Sequence, residues 1–165
     1  MPLDQTTFPA ASWKRCRIAV AEEAHVDDLA GRLRAEDIAE CEALGLTGRD
    51  ALEKSFRGSV MARTIFVDDI VAAMYGVGGP MFGVVGHPWL LTAMEVERIP
   101  RTLIRHGFVA VGTMHAAFPE LRGVVDARYT GAVRMLKMLG FSVGEPKRRG
   151  WGGVPFHEYS MKRGD

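Results

Sequence analysis

The side chains able to do chemistry are thinly spread along this chain, and their spacing narrows what they can do. His87, His106, His115 and His157 are too scattered for the i, i+4 or short-loop spacing of a zinc site, and Cys41 lies far from all of them, so no metal site is expected. His115 falls on the apolar stripe of a long helical segment, where a hydrogen-bonded core residue is the plainer reading, and His157 alternates with Phe156 in PFHEY and is expected to face outward. Cys16 and Cys41 form neither a CxxC pair nor a disulfide framework, which suits a reduced, intracellular setting. The densest charge is in the loop PKRRGWGG, where Lys147, Arg148 and Arg149 could grip phosphates while the Trp151 indole stacks on a base. The glycines of that loop suit a flexible turn equally well, and contact with a protein partner is the preferred reading over nucleic acid.

The rest of the chain must position these groups. Its 165 residues are the size of one domain, with 47% hydrophobic and 25% charged residues, which indicates neither disorder nor a fibrous class. A formal net charge of +1 provides no field that would announce a nucleic-acid or membrane partner. Residues 1–14 carry Asp4 and no continuous apolar run, so they are expected to be a tail rather than a secretion signal, with the domain spanning residues 15–165. No window approaches the roughly 20 apolar residues of a membrane span.

Periodicity sets out the elements. Residues 15–21 alternate as a strand; residues 25–45 place Val26, Leu29, Leu33, Ile38 and Leu44 at helical spacing, expected as two short helices ending at Gly45. Thr47 or Asp50 can cap a further helix that stops at Gly58. Three β-rich stretches follow over residues 61–67, 70–77 and 81–92, with Asp68-Asp69 as the tight turn between the first two, which predicts an antiparallel meander. Residues 98–118 form the longest helix, its stripe running through Leu103 or Ile104, Phe108, Val111, His115 and Phe118. A strand over 121–126, a helix over 129–139 with Ala132, Val133, Leu136 and Leu139 inward, and a closing pair of strands complete an α/β (α+β) order: a mixed, mostly antiparallel sheet flanked by helices.

That order of elements, together with the segment YTGAVRMLKMLGF, resembles the GNAT acetyltransferase superfamily. Ala132, Gly140 and Phe141 keep that family's fold positions, while Leu136 stands where the family carries a tyrosine that protonates the thiolate of coenzyme A. The resemblance implies acetyl-CoA as the donor if the protein is active. It also implies that a backbone N–H from Leu90, Leu91 or Thr92 polarises the thioester carbonyl, and that Glu95 or Glu97, just past that strand, serves as the general base toward an amine. The family's glycine-rich pyrophosphate loop is absent from EVERIPRTLIRHG; Pro100 removes one amide donor, and Arg98 and Arg101 could compensate in part.

Within that superfamily, the runs GHPWLLTAMEVERIPR, VVDARYTGAVRMLKMLGFSVGEP and GVPFHEYSMKR resemble a family of small tailed-phage proteins named for an internal virion protein A, with a GNAT-like fold. This resemblance implies a catalytically degenerate acetyltransferase fold that acts through contacts with phage or host proteins, in the virion or the host cytoplasm. An active acetyl-CoA-dependent N-acetyltransferase is the alternative.

Overall fold

The computed structural model describes residues 15–165; the expected tail, residues 1–14, lies outside the described residues. The alternating segment after Arg15 forms β1 (Cys16–Val20). Helices α1 (Glu23–Ala30), α2 (Ala35–Ala43) and α3 (Gly48–Arg57) follow. Gly45 ends α2 with φ +79°, a conformation open to glycine at little cost. Of the two candidate caps for α3, Thr47 is used: its side chain accepts a hydrogen bond from the Asp50 amide at 3.1 Å.

The meander is β2 (Ser59–Val67), β3 (Ile70–Gly78) and β4 (Val85–Thr92). Asp68 and Asp69 both take positive φ, +50° and +63°, as the two-residue turn of a twisted hairpin requires. β4 starts at Val85 rather than Met81, because residues 81–84 form an exposed turn in which Phe82 adopts φ +64°. A 3-10 turn over Met94–Arg98 leads into the long helix α4 (Pro100–Ala117), then β5 (Glu120–Asp126), α5 (Thr130–Met138), β6 (Ser142–Val143), β7 (Lys147–Arg148) and β8 (Pro155–Lys162).

The sheet runs β1-β2-β3-β4-β5-β8-β6, with β7 also paired to β8. Its pairs are antiparallel except for β4 and β5. The central strand β3 is buried from Val71 through Val77, as its unbroken apolar run demands of a strand covered on both faces. One core, with Ile65, Val67, Tyr75 and Val77, packs beneath Ala110, Met114 and Leu139 of the α4–α5 side. The other, with Phe66, Met74 and Leu91, packs beneath Val26, Leu29, Cys41 and Leu52 of the α1–α3 side. Among the described residues, no helix is long and apolar enough to cross a membrane.

Three apolar positions expected inside are exposed, and in each case packing against a distant part of the fold gives the reason. On α4, Phe108 is 54% exposed while His106, Ala110 and Met114 are buried. The inward row is rotated so that Gly107 meets the tip of the Leu139 side chain, which would have to shift to admit a Cβ, and Phe108 is turned outward. On α2, Ile38 and Leu44 yield the inward positions to Asp37 and Cys41, because Asp37 bonds to β4.

Candidate active site

The site begins where two strands part. β4 and β5 pair at Val85↔Glu120 and Gly86↔Leu121, and beyond Gly86 they separate. The Ala93 amide donates to Ala72 of β3, so the period of two turns Leu91 toward β3 as well, and Pro88, Leu90 and Thr92 toward β5. Pro88 has no N–H to offer on that edge. Opposite it, Gly123 leaves space for the Tyr159 ring, which a Cβ there would strike, and the Tyr159 hydroxyl donates across the gap to the Pro88 carbonyl at 3.3 Å.

The opening is a cavity of about 710 Å³. Asp37, Glu40 and Lys54 line it from α2 and α3, and Leu103, Ile104, Met135 and Leu136 line it from α4 and α5. Those helices cover opposite faces of the sheet, so the cavity is a slot that passes through the sheet.

Two carboxylates close the α2 end. Asp37 Oδ2 accepts from the Thr92 amide at 3.1 Å and from the Thr92 hydroxyl at 2.5 Å. Glu40 Oε1 accepts from the Asp126 amide at 2.7 Å. One turn apart on α2, they satisfy one backbone donor on each parted strand, groups that would otherwise be buried unpaired. Each carboxylate retains a second oxygen outside these bonds. Burial pushes the Asp37 carboxyl up to about 6 and that of Glu40 up to about 7, against the hydrogen bonds that favour the charged forms.

Arg34 and Tyr129 complete this end. The Arg34 amide donates to the Thr92 carbonyl at 2.9 Å, its guanidinium reaches Glu97 at 3.1 Å, and it lies 5.9 Å from the centre of the Tyr129 ring. Burial pushes the Tyr129 phenol up to about 12, so it holds its proton at neutral pH. Because α4 starts with Pro100 and its first hydrogen bond runs from the Leu103 amide to the Ile99 carbonyl, the Arg101 and Thr102 amides are left as donors at the helix N-terminus.

Leu90, Leu91, Thr92, Glu97 and Leu136 line the slot. The geometry divides the three β4 residues: the Thr92 amide is engaged by Asp37 and the Leu91 amide faces β3, which leaves Leu90 as the amide facing the opening. Glu95 is drawn instead to Arg32 at 3.3 Å, and Arg32 also donates to the Val71 carbonyl of β3. Arg98 is paired with Asp68 in the distant hairpin turn at 3.5 Å. Arg101 is exposed and outside the lining. In the basic segment, Lys147 and Arg148 form β7, while Lys147 and Arg149 both pair with Glu158, at 3.7 and 3.1 Å, and Trp151 is 76% exposed.

Sequence reasoning passed over Asp37, Glu40 and Pro88. A proline in the middle of a strand pattern was the available signal for the split, and two acids on the apolar face of α2 were the signal for what seals it.

No family model matches the sequence, and no curated protein matches it. Solved structures do. The spermidine N-acetyltransferase from Vibrio cholerae, solved with CoA and spermine, is similar over 91% of this chain and 96% of its own, at 10% identity and a TM-score of 0.68. The ribosomal-protein-S5-alanine acetyltransferase from Vibrio fischeri is similar over 92% and 94%, at 13% identity and 0.66. A GNAT-family acetyltransferase from Streptococcus pneumoniae is similar over 90% and 99%, at 13% identity and 0.64. The fold is that of the GNAT acetyltransferases. In this GNAT-fold chain the mostly antiparallel sheet and the α5 segment stand in the expected order, and Leu136 lines the slot between the parted β4 and β5, which sequence reasoning had not anticipated.

Proposed function

We propose that the protein is an acyl-CoA-dependent N-acyltransferase. The observation that carries this reading is the slot through the sheet: it lets a thioester enter from the α4–α5 face and an amine from the α2–α3 face, so that they meet between the strands. The residues present fit the pantetheine end of such a donor better than its pyrophosphate. Apolar walls and the edge of β4 suit the former, while the Arg101 and Thr102 amides with the Arg101 side chain make a reduced cradle for the latter.

The donor supplies an activated acyl carbonyl. The Leu90 N–H is placed to donate to the carbonyl oxygen as charge develops there. Glu40 takes the proton that the acceptor nitrogen gives up as the N–C bond forms, and its raised pKa matches a base working near neutral pH. Tyr129, protonated and in the slot, supplies the proton to the sulfur as the C–S bond breaks, a role that Leu136 cannot fill. Glu97 at the rim holds Arg34 in place. The test is calorimetric titration with acetyl-CoA and free CoA, followed by a thiol-release assay with primary amines. Micromolar binding and amine-dependent thiol release are expected; no binding at millimolar ligand overturns the reading.

A second reading is favoured by the turn between β3 and β4, where Met81 is 77% and Phe82 fully exposed. Such an apolar tip, with a leucine in the acid position and a glycine-free loop before α4, suits a catalytically degenerate phage-type protein that acts through protein contacts. Failure to bind CoA, with retained partner binding that is lost in Phe82→Ser, would favour it.

A further inference from the structure

A second cavity of about 110 Å³ adjoins the slot on the α4–α5 side and shares Leu90, Leu136 and Tyr159 with it. Its remaining wall is mostly apolar, with Ile65, Ala110, Met114 and Phe141. At about 30 Å³ for a water-sized group, it has room for roughly three or four such groups.

One polar pair breaks the apolar lining. The Tyr75 hydroxyl and His106 Nε2 lie 2.5 Å apart, and His106 Nδ1, also buried, has no partner among the described residues. His106 is 8% exposed, and burial pushes its imidazole down to about 4, so the ring is neutral and offers one unused hydrogen-bonding nitrogen. A buried polar atom without a partner costs stability unless something arrives to meet it.

We infer that this chamber receives the acyl chain of the donor. The chain would have two or three carbons beyond the thioester carbonyl and carry a hydroxyl or oxo oxygen that meets His106. This rests on the acyl-CoA reading of the slot and goes beyond it by naming the donor class. The shared residue Leu90 also carries the amide assigned to the carbonyl, so a chain leaving that carbonyl is next to the chamber. The leucine at position 136 gains a purpose here as part of the apolar wall common to both cavities.

The experiment is calorimetry on the whole chain with CoA, acetyl-CoA, butanoyl-CoA and 3-hydroxybutanoyl-CoA. Each methylene buried is expected to tighten binding about fourfold, so butanoyl-CoA should bind roughly tenfold or more tightly than acetyl-CoA. The hydroxylated donor should bind at least as tightly as butanoyl-CoA, and His106→Leu should reverse that order. Ala110→Val, which narrows the chamber, should abolish the butanoyl advantage and leave acetyl-CoA affinity within about twofold. Equal affinities for acetyl and butanoyl donors in the wild-type protein would overturn the inference whether or not the variants fold. A hydroxylated donor weaker than butanoyl-CoA would overturn the role given to His106. If CoA itself and all the thioesters fail to bind, the acyl-CoA reading of the slot falls first, so the two failures are distinguishable.

Discussion

The two ends of the slot are built from opposite materials. At the α2 end the lining is charged, and the charges are committed: Asp37 and Glu40 occupy backbone donors on β4 and β5, and Arg34 is held by Glu97 and by the edge of β4. At the α4–α5 end the lining is leucine, methionine and isoleucine, with few polar atoms to commit. The difference shows how a sheet can be split without losing stability. Wherever the split exposes backbone, a side chain pairs with it; elsewhere the gap is lined by apolar groups that need no partner.

The comparison breaks most readily at Glu40. Glu40→Gln keeps an oxygen for the Asp126 amide but cannot take a proton, and it is expected to lower kcat toward an amine by about 10²- to 10⁴-fold while leaving CoA affinity within about threefold. In the wild type the rate should rise with pH through about 7 as the carboxyl ionises. Stability should move the other way. The folded protein holds the Glu40 proton between the ordinary carboxyl pKa of 4.5 and about 7, where the unfolded chain has released it. The contribution is therefore full below that window and lost as pH rises through about 7. Denaturant melts of wild type and Glu40→Gln at pH 5 and pH 8 should show the wild type losing ground to the variant at the higher pH.

Asp37→Ala tests the sealing role directly. It leaves the Thr92 amide and hydroxyl without their partner and should cost about 1–3 kcal/mol in urea unfolding. A loss near zero would mean that water replaces the carboxylate and that the α2 end is open.

At the apolar end, Leu136→Tyr adds a second proton donor to the slot beside Tyr129 and should raise kcat with acetyl-CoA up to about tenfold. The same change shrinks the adjoining chamber, so the gain should disappear with butanoyl-CoA. No change with either donor would leave Tyr129 as the sufficient acid.

The smallest effect separates two arginines. Arg101→Ala should weaken CoA binding severalfold, as loss of one exposed phosphate contact does, whereas Arg98→Ala should leave it unchanged because Arg98 is paired with Asp68.

Much of the architecture was legible because it depends on local rules. The Asp68-Asp69 turn, the Thr47 cap and the Gly45 stop each follow from residues within a few positions of one another. Reading failed where a distant partner decided the matter. Ile38 looks like a core residue of α2 until Asp37 is seen bonded to Thr92, 55 residues along the chain. Phe108 looks inward until α4 is placed against Leu139, where the neighbouring Gly107 makes the contact.

The same division holds for the site. Sequence alone determined the order of elements, the proline that interrupts the edge of β4, and the leucine at position 136, since each is a property of residue type and spacing. Only the tertiary structure decided which groups the split brings together. It drew Glu95 to Arg32, took Arg98 to the hairpin turn, and set Asp37 and Glu40 across the two strands. The physical reason is that unpaired backbone and buried charge must find partners across the whole fold, and that choice is made when helix, strand and loop are packed together rather than along the chain.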